Sequence, residues 1–225
     1  MKNILARGGI EFLAVFLGIA LSLWVDDYRQ SKELNNRIID DYENIYSEVK
    51  ANIEIIEDVI RKNNEMINAE KKILLILNQK LSYMQDEVID LLGGIYSVTF
   101  FGETSAHRTS VASGRFNSSM NDTLTKEISK LYEHYFVRLT NNGTWLDNST
   151  TPGPTLPFYD AIYHQSDIDS IAIKKEFFSE DFRDSFLYCS FVRGIYLKRV
   201  EQTRDQLYKV KSNLENYLSV NNSYF

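Results

Sequence analysis

Four residues within one short stretch form the densest polar constellation in this chain: Glu103, His107, Arg108 and Arg115. Glu103 and His107 stand one turn apart on a helix, and an arginine such as Arg108 binds anions through its planar fork of donors. A plainer use is open to the same residues: solvating or capping a helix over 103–113 and tying it to acidic long helices. Other chemistry is poorly represented. The three histidines, His107, His134 and His164, lie on separate segments with no cysteine at ligand spacing, so no metal site is expected. Asp167 and Asp169 lack the glycine and distal glutamate of a calcium loop and suit helix capping better. There is no phosphate-cradling glycine loop, no Gly-x-Ser-x-Gly elbow and no His-Glu-x-x-His helix. The single cysteine, Cys189, reads as a small buried residue, and 14 tyrosines with 13 phenylalanines suit core packing better than ligand binding. No cofactor is expected.

What positions these residues begins with a very different segment. Gly8 to Val25 is eighteen residues long and carries one charge, Glu11. As a helix it would span ~27 Å, close to the ~30 Å hydrocarbon core of a bilayer. Trp24 and Tyr28 fall where an aromatic belt would sit. The sequence therefore predicts a short basic tail over 1–7 and a transmembrane helix over 8–25. Two alternatives compete, a buried core helix and a cleavable signal peptide with Ala20 and Ser22 as its small residues. Glu11 at the head of the apolar run and the bulky Leu23-Trp24 pair argue against the second. Lys2 and Arg7 precede the span, and Arg29, Lys32 and Arg37 follow it after Asp26 and Asp27, so the basic balance is nearly even; the very short basic N-terminus tips the expectation towards the larger domain outside the cytoplasm.

Within that segment Ala14, Gly18 and Ser22 recur every four residues, the spacing that lets two helices approach closely in lipid. Glu11 lies on the same side. Facing lipid it would be costly, so it is expected to reach the headgroups, protonate, or meet a partner helix. Membrane-helix association is thus assigned to Glu11, Ala14, Gly18 and Ser22, with a homo-oligomer or a partner membrane helix as the implied contact.

The rest of the chain, 26–225, has few glycines (10) and prolines (3), which disfavours an all-β design. A net charge of −6 argues against nucleic acid as a partner. From 26 to 92, apolar residues follow three/four spacing with Asn52, Asn63 and Glu70 as polar entries. That pattern predicts one long helix or a hairpin, with the asparagines at 63, 64 and 68 as the likeliest bend and Gly93-Gly94 as the stop. Residues 95–101 read as extended or irregular. Cap helices are expected over 103–177: one over 103–113 closed by Gly114, one capped by Asp122 and stopped at Asn141-Asn142-Gly143, and one opened by a Ser166/Asp169 capping box. Residues 141–158, which hold all three prolines, read as the long loop. Ser179 should cap a long C-terminal helix over 179–219, with Arg193 and Thr203 in its polar slots.

Two portions of the chain bear a resemblance. Glu11-Phe-Leu-Ala-Val-Phe-Leu-Gly-Ile-Ala-Leu-Ser-Leu-Trp-Val-Asp-Asp-Tyr is similar to the glutamate, aliphatic run, Leu-Gly-Ile and polar-aromatic end of a functionally uncharacterised group of bacterial single-pass membrane-anchored proteins, common in Bacteroidota and relatives. Ser110-Val-Ala-Ser-Gly-Arg-Phe followed by Asn121-Asp-Thr-Leu and Ile128 resembles the same group. The match departs at Asn117 to Met120, where the group usually shows Leu-Ile or similar. The resemblance implies a bacterial inner-membrane anchor carrying a helical domain, and no activity.

The expected architecture is all-α: an N-terminal transmembrane helix, then an elongated antiparallel bundle with coiled-coil-like long helices and the middle helices at the end far from the membrane. The expected function is a non-enzymatic structural, sensing or interaction module. Two alternatives stand beside it: a subunit docked through Glu11 and the small-residue stripe, and an enzyme or effector with a site around Glu103–Arg115.

Overall fold

The computed structural model describes residues 2–118, 121–150, 153–164 and 169–222, with side chains described from Phe12 onward. It is all-α, with no strand among the described residues. Two helices dominate. α1 runs unbroken from Lys2 to Leu77, 76 residues or ~114 Å. The last helix, Glu180–Asn222, has 43 residues and is ~64 Å long. Between them come α2 (Gln85–Gly93), α3 (Ser105–Ala112) and α4 (Asp122–Ser129); α4 leads through a π-helical stretch, Lys130–Phe136, into α5 (Val137–Thr150). Two short helices follow, α6 (Tyr159–Tyr163) and α7 (Ser170–Phe177), which makes the C-terminal helix α8.

The pairing of α1 with α8 follows from their matching apolar stripes. Each is too long to stand alone in water without burying its stripe, and each supplies the other's partner. They are antiparallel. Tyr42 packs edge-on to Tyr217 with ring centroids 5.0 Å apart, and the Tyr46 hydroxyl donates to Glu215 at 2.8 Å. Farther along, the Tyr208 hydroxyl donates to Glu57, Ser190 to Glu70, and Arg183 to Asn78. Ile45, Val49, Ile56, Val192, Val200, Leu207 and Leu214 are all fully buried in the shared seam.

The middle helices divide between the two ends of this pair. α3, α4 and the π-helical stretch flank the first part of the paired stretch of α1, from Ile38 onward, where the Tyr42 hydroxyl lies 3.1 Å from the Thr125 hydroxyl. α2, α6 and α7 close the opposite end around an aromatic cluster of Phe158, Phe177, Phe182 and Phe186. The expectation that all the middle helices cap the far end is therefore corrected. The stripe on α1 starts at Ile38, and the helices that follow it in sequence return to cover that first exposed portion.

Three element boundaries also differ from expectation. The asparagines at 63, 64 and 68 make no bend. Asn63 is fully buried inside continuous helix, and its amide donates to Val59 O and to Val98 O in a neighbouring segment. The chain turns instead after Leu77, where Gln79 adopts φ +57° and the amides of Lys80 and Leu81 both donate to Leu75 O. Nor does the helix stop at Asn141-Asn142-Gly143. It continues to Thr150, and the first part of the expected 141–158 loop is helical. Gly143 is used there for clearance: a Cβ would stand 3.3 Å from Thr99, where the 95–104 segment crosses the helix. Asn121, not Asp122, caps α4, accepting from the Leu124 amide.

Other expectations hold. Residues 95–101 are irregular, Gly114 ends its segment at φ +75°, and the Ser179 hydroxyl accepts from the Phe182 amide. Asp169 caps α7 through the amides of Ile171 and Ala172, while Ser166 lies outside the described residues. The transmembrane helix expected over 8–25 is not borne out: no helix among the described residues is long and apolar enough to cross a membrane. Of the 8–25 stretch, only the part from Phe12 has described side chains, and Glu11 lies outside that set.

Candidate functional site

The irregular segment 95–104 carries backbone groups that no helix or strand satisfies, and long-helix side chains supply the partners. The Asn52 amide donates to Glu103 O at 2.8 Å, and Asn52 Oδ1 accepts from the Glu103 amide at 2.7 Å. Asn63 takes Val98 O, and the Tyr196 hydroxyl accepts from the Phe100 amide at 2.7 Å. The two asparagines of the α1 stripe are thus grips on a crossing chain, each removing an otherwise costly orphan.

Glu48 performs the same task for α3. Its buried carboxylate accepts from the Ala106 amide at 2.6 Å, the Ser105 hydroxyl at 3.3 Å, the His107 amide at 3.4 Å and the Tyr132 hydroxyl at 2.7 Å. A carboxylate at a helix N-terminus satisfies free amides and meets the positive end of the helix dipole. The neighbouring Glu48 charge and burial push the Tyr132 phenol well above its ordinary range, with burial the larger cause. Glu48 was not among the expected residues. Its signal was available: it sits one turn before Asn52, within the apolar stripe.

The expected constellation is not gathered into one centre. The side chain of Glu103 is exposed and borders a groove of about 450 Å³ with Asp41, Asn44 and Thr109. His107 and Arg108 border a different groove of about 480 Å³, beside Glu133 and Asn141. The His107 ring is buried, stacked on Tyr132 at 4.2 Å and 4° and edge-on to Phe116 at 5.1 Å. Its Nε2 has no hydrogen-bond partner, and burial holds the imidazole below its ordinary pKa. Arg115 is committed to Asp41 through two bonds, Nε at 2.8 Å and Nη2 at 2.9 Å, while the Ser110 hydroxyl donates to the same carboxylate. The Arg115 hydrogen bond keeps the Asp41 carboxyl below the usual range. Arg108, like Glu103, is exposed.

A second polar centre lies deep between α1 and α8. Arg193 is fully buried, and its Nε donates to Glu70 at 2.7 Å; Nη1 reaches Asn63 Oδ1 at 3.2 Å, and Nη2 has no partner. The polar slots noted in the two stripes therefore face each other. Cys189 is buried with its Sγ 2.7 Å from Ser149 O, and burial raises its thiol pKa, which disfavours the nucleophilic thiolate. No group of three or more His, Cys, Asp or Glu residues able to hold a metal occurs among the described residues.

At the other end of α1, Ala14, Gly18 and Ser22 are exposed, and a Cβ added to Gly18 would meet nothing within 4 Å. The surrounding apolar residues are also uncovered, from Phe12 at 69% to Val25 at 55%.

No curated protein and no solved structure matches the chain. Residues 11–152 match the family model described as "Family of unknown function (DUF6090)", a span that takes in α1 from residue 11 onward, α2 to α4 and the whole of α5. Because that match extends over more than half of its length, the chain belongs to the DUF6090 family.

Proposed function

We propose that this chain is a membrane-anchored, non-enzymatic module in which α1 serves as both lipid anchor and first helix of the bundle. The observation that carries the reading is the uncovered apolar cylinder of α1. From Phe12 to Val25 it has no charged residue and no face turned to a neighbour, with Leu17 55% and Leu23 66% exposed. Water is a poor environment for such a surface, and lipid is a good one. Trp24 and Tyr28 stack at 6.1 Å at its polar end, as interfacial aromatics do. The continuity of α1 supports mechanical coupling: a rotation or shift of the anchor would be transmitted directly to the α1–α8 seam.

A non-enzymatic role is supported by how the reactive-looking residues are used. Arg115 is neutralised by Asp41, His107 is walled in by aromatic rings, and Glu48 is consumed by helix capping. In this proposal the chain sits in a bacterial inner membrane, with Lys2 and Arg7 on the cytoplasmic side and the bundle outside. The open small-residue stripe at Ala14, Gly18 and Ser22 favours association with a second copy or another membrane helix. Carbonate extraction of membranes should leave the full chain in the pellet, and Gly18→Leu should weaken cysteine crosslinking along the span. Release by carbonate would overturn the anchor. Loss of biological activity in a folded His107→Ala/Arg108→Ala/Arg115→Ala variant, with Gly18→Leu active, would favour an enzyme or effector instead.

A further inference from the structure

The π-helical stretch, the first turn of α5 and α8 form a groove of about 400 Å³ whose charge is unbalanced. One wall carries His134 and Arg138, and the other carries Arg199, Asp205, Gln206 and Lys209. The acid that lines the groove, Asp205, and the nearby Glu127 already have partners. Glu127 binds Lys209 at 2.9 Å and accepts from Gln206 at 2.8 Å, contacts that hold its carboxyl below the usual range. Asp205 is paired with Arg204 at 2.9 Å. Among the described residues Arg138 and Arg199 have no carboxylate partner, and the Arg199 side chain bonds to the neutral Gln202, at 2.7 Å. Two guanidiniums are therefore left in excess across one groove, in a chain whose net charge is −6.

Several other arginines are spent on acids. Arg115 takes Asp41, Arg193 takes Glu70, and Arg61 takes both Asp58 and Glu65. Placing two unspent guanidiniums on facing walls costs repulsion in the free protein, and an anion between them would reverse that sign. Guanidiniums also match the geometry of phosphate oxygens, each offering two parallel N–H donors. Gln202, also lining the groove, adds a neutral amide donor.

We propose that this groove is a binding site for a small phosphate-bearing solute, clasped by Arg138 from one wall and Arg199 from the other. The site is on the body of the bundle: α8 at Tyr208 touches α1 at Glu57, ~45 Å along α1 from Asp26. That distance assigns the phosphate to a dissolved molecule and not to a headgroup of the anchoring bilayer. Only this choice of source rests on the anchoring proposed above; the site itself does not.

The test is a calorimetric titration of the full chain, held in neutral detergent, with inorganic pyrophosphate. Saturable binding at one site per chain is expected, with a dissociation constant of about 1 mM or tighter. Arg138→Gln and Arg199→Gln should each weaken it about tenfold, while Arg183→Gln, at an exposed arginine elsewhere on α8, should leave it unchanged. A melting scan guards against misfolding. Pyrophosphate should raise the melting temperature of the parent protein and not of the two groove variants, whose own melting temperatures should equal or exceed the parent's. No saturation by about 10 mM pyrophosphate would overturn the proposal, as would equal weakening by Arg183→Gln. Binding seen only with vesicles containing phosphatidic acid would overturn the dissolved source. Anchoring fails separately, in the carbonate extraction, since the titration is made in detergent.

Discussion

Two stretches of the same helix, Phe12–Val25 and Ile38–Leu77, have one backbone geometry and opposite surroundings. In the second, apolar residues return every three or four positions, and Ile45, Val49, Ile56 and Ile73 are completely buried. In the first, apolar residues surround the whole circumference, and none is buried. A stripe selects a neighbour, here α8, because only one face needs covering. A full cylinder selects a medium. The difference teaches that length and helicity say little about a helix's role, while the angular spread of its apolar residues says a great deal.

The strongest way to break the contrast is to put a charge into each stretch. Ile45→Asp should abolish cooperative unfolding of the bundle, since an unpaired buried carboxylate costs more than about 4 kcal/mol. The polar members of the buried stretch come next. Arg193→Ala should cost about 3–5 kcal/mol in urea unfolding by leaving Glu70 charged and alone. The Glu70→Leu/Arg193→Met pair should recover most of that loss, because two apolar side chains need no mutual partner. A double variant as unstable as the single one would mean that the site's packing, and not its charge, carries the effect.

Glu48→Gln sharpens the comparison at smaller scale. It should cost about 1–3 kcal/mol, as the capping amides of α3 and the Tyr132 hydroxyl share a weaker acceptor. Acid should act through two groups in turn. His107 is held below its ordinary pKa when folded, so the unfolded chain takes up the proton first; stability should decline as pH falls below about 6.5. His107→Phe should flatten that limb. Asp41 is also lowered, so its contribution is complete above about pH 4 and is lost as pH falls through its folded value. The smallest effect on folding is expected from Leu17→Asp. The bundle's stability should change by less than about 0.5 kcal/mol while the chain leaves carbonate-washed membranes. If Leu17→Asp destabilised the bundle as Ile45→Asp does, the two stretches would not differ in kind.

Several features were legible in the residues because they arise from local rules. Ser179 and Asp169 announced helix starts, Gly114 announced a stop, and the two long stripes announced each other. Even the buried polar centre was half visible, in Asn63 and Glu70 on one stripe and Arg193 on the other. The errors have a common cause. Asn63 and Gly143 are poor helix formers, so local propensity places breaks at both. In the fold Asn63 spends its amide on Val98 O, and Gly143 makes room for Thr99, so tertiary contacts override propensity. The Glu103, His107, Arg108 and Arg115 grouping failed for a related reason. Nearness in sequence does not say which way each side chain turns, and Arg115 was claimed by Asp41, seventy-four positions away.

By itself the sequence determined the all-α class, the uncovered character of the first apolar run and the pairing of the first long helix with the last. Those follow from periodicity, which a chain carries in its order of residues. Only the tertiary structure decided where α3 to α5 dock, that Glu48 caps a helix, and that Arg138 and Arg199 face one groove without acids. Such matters depend on contacts between residues far apart along the chain, whose energies exist only once the backbone has brought them together.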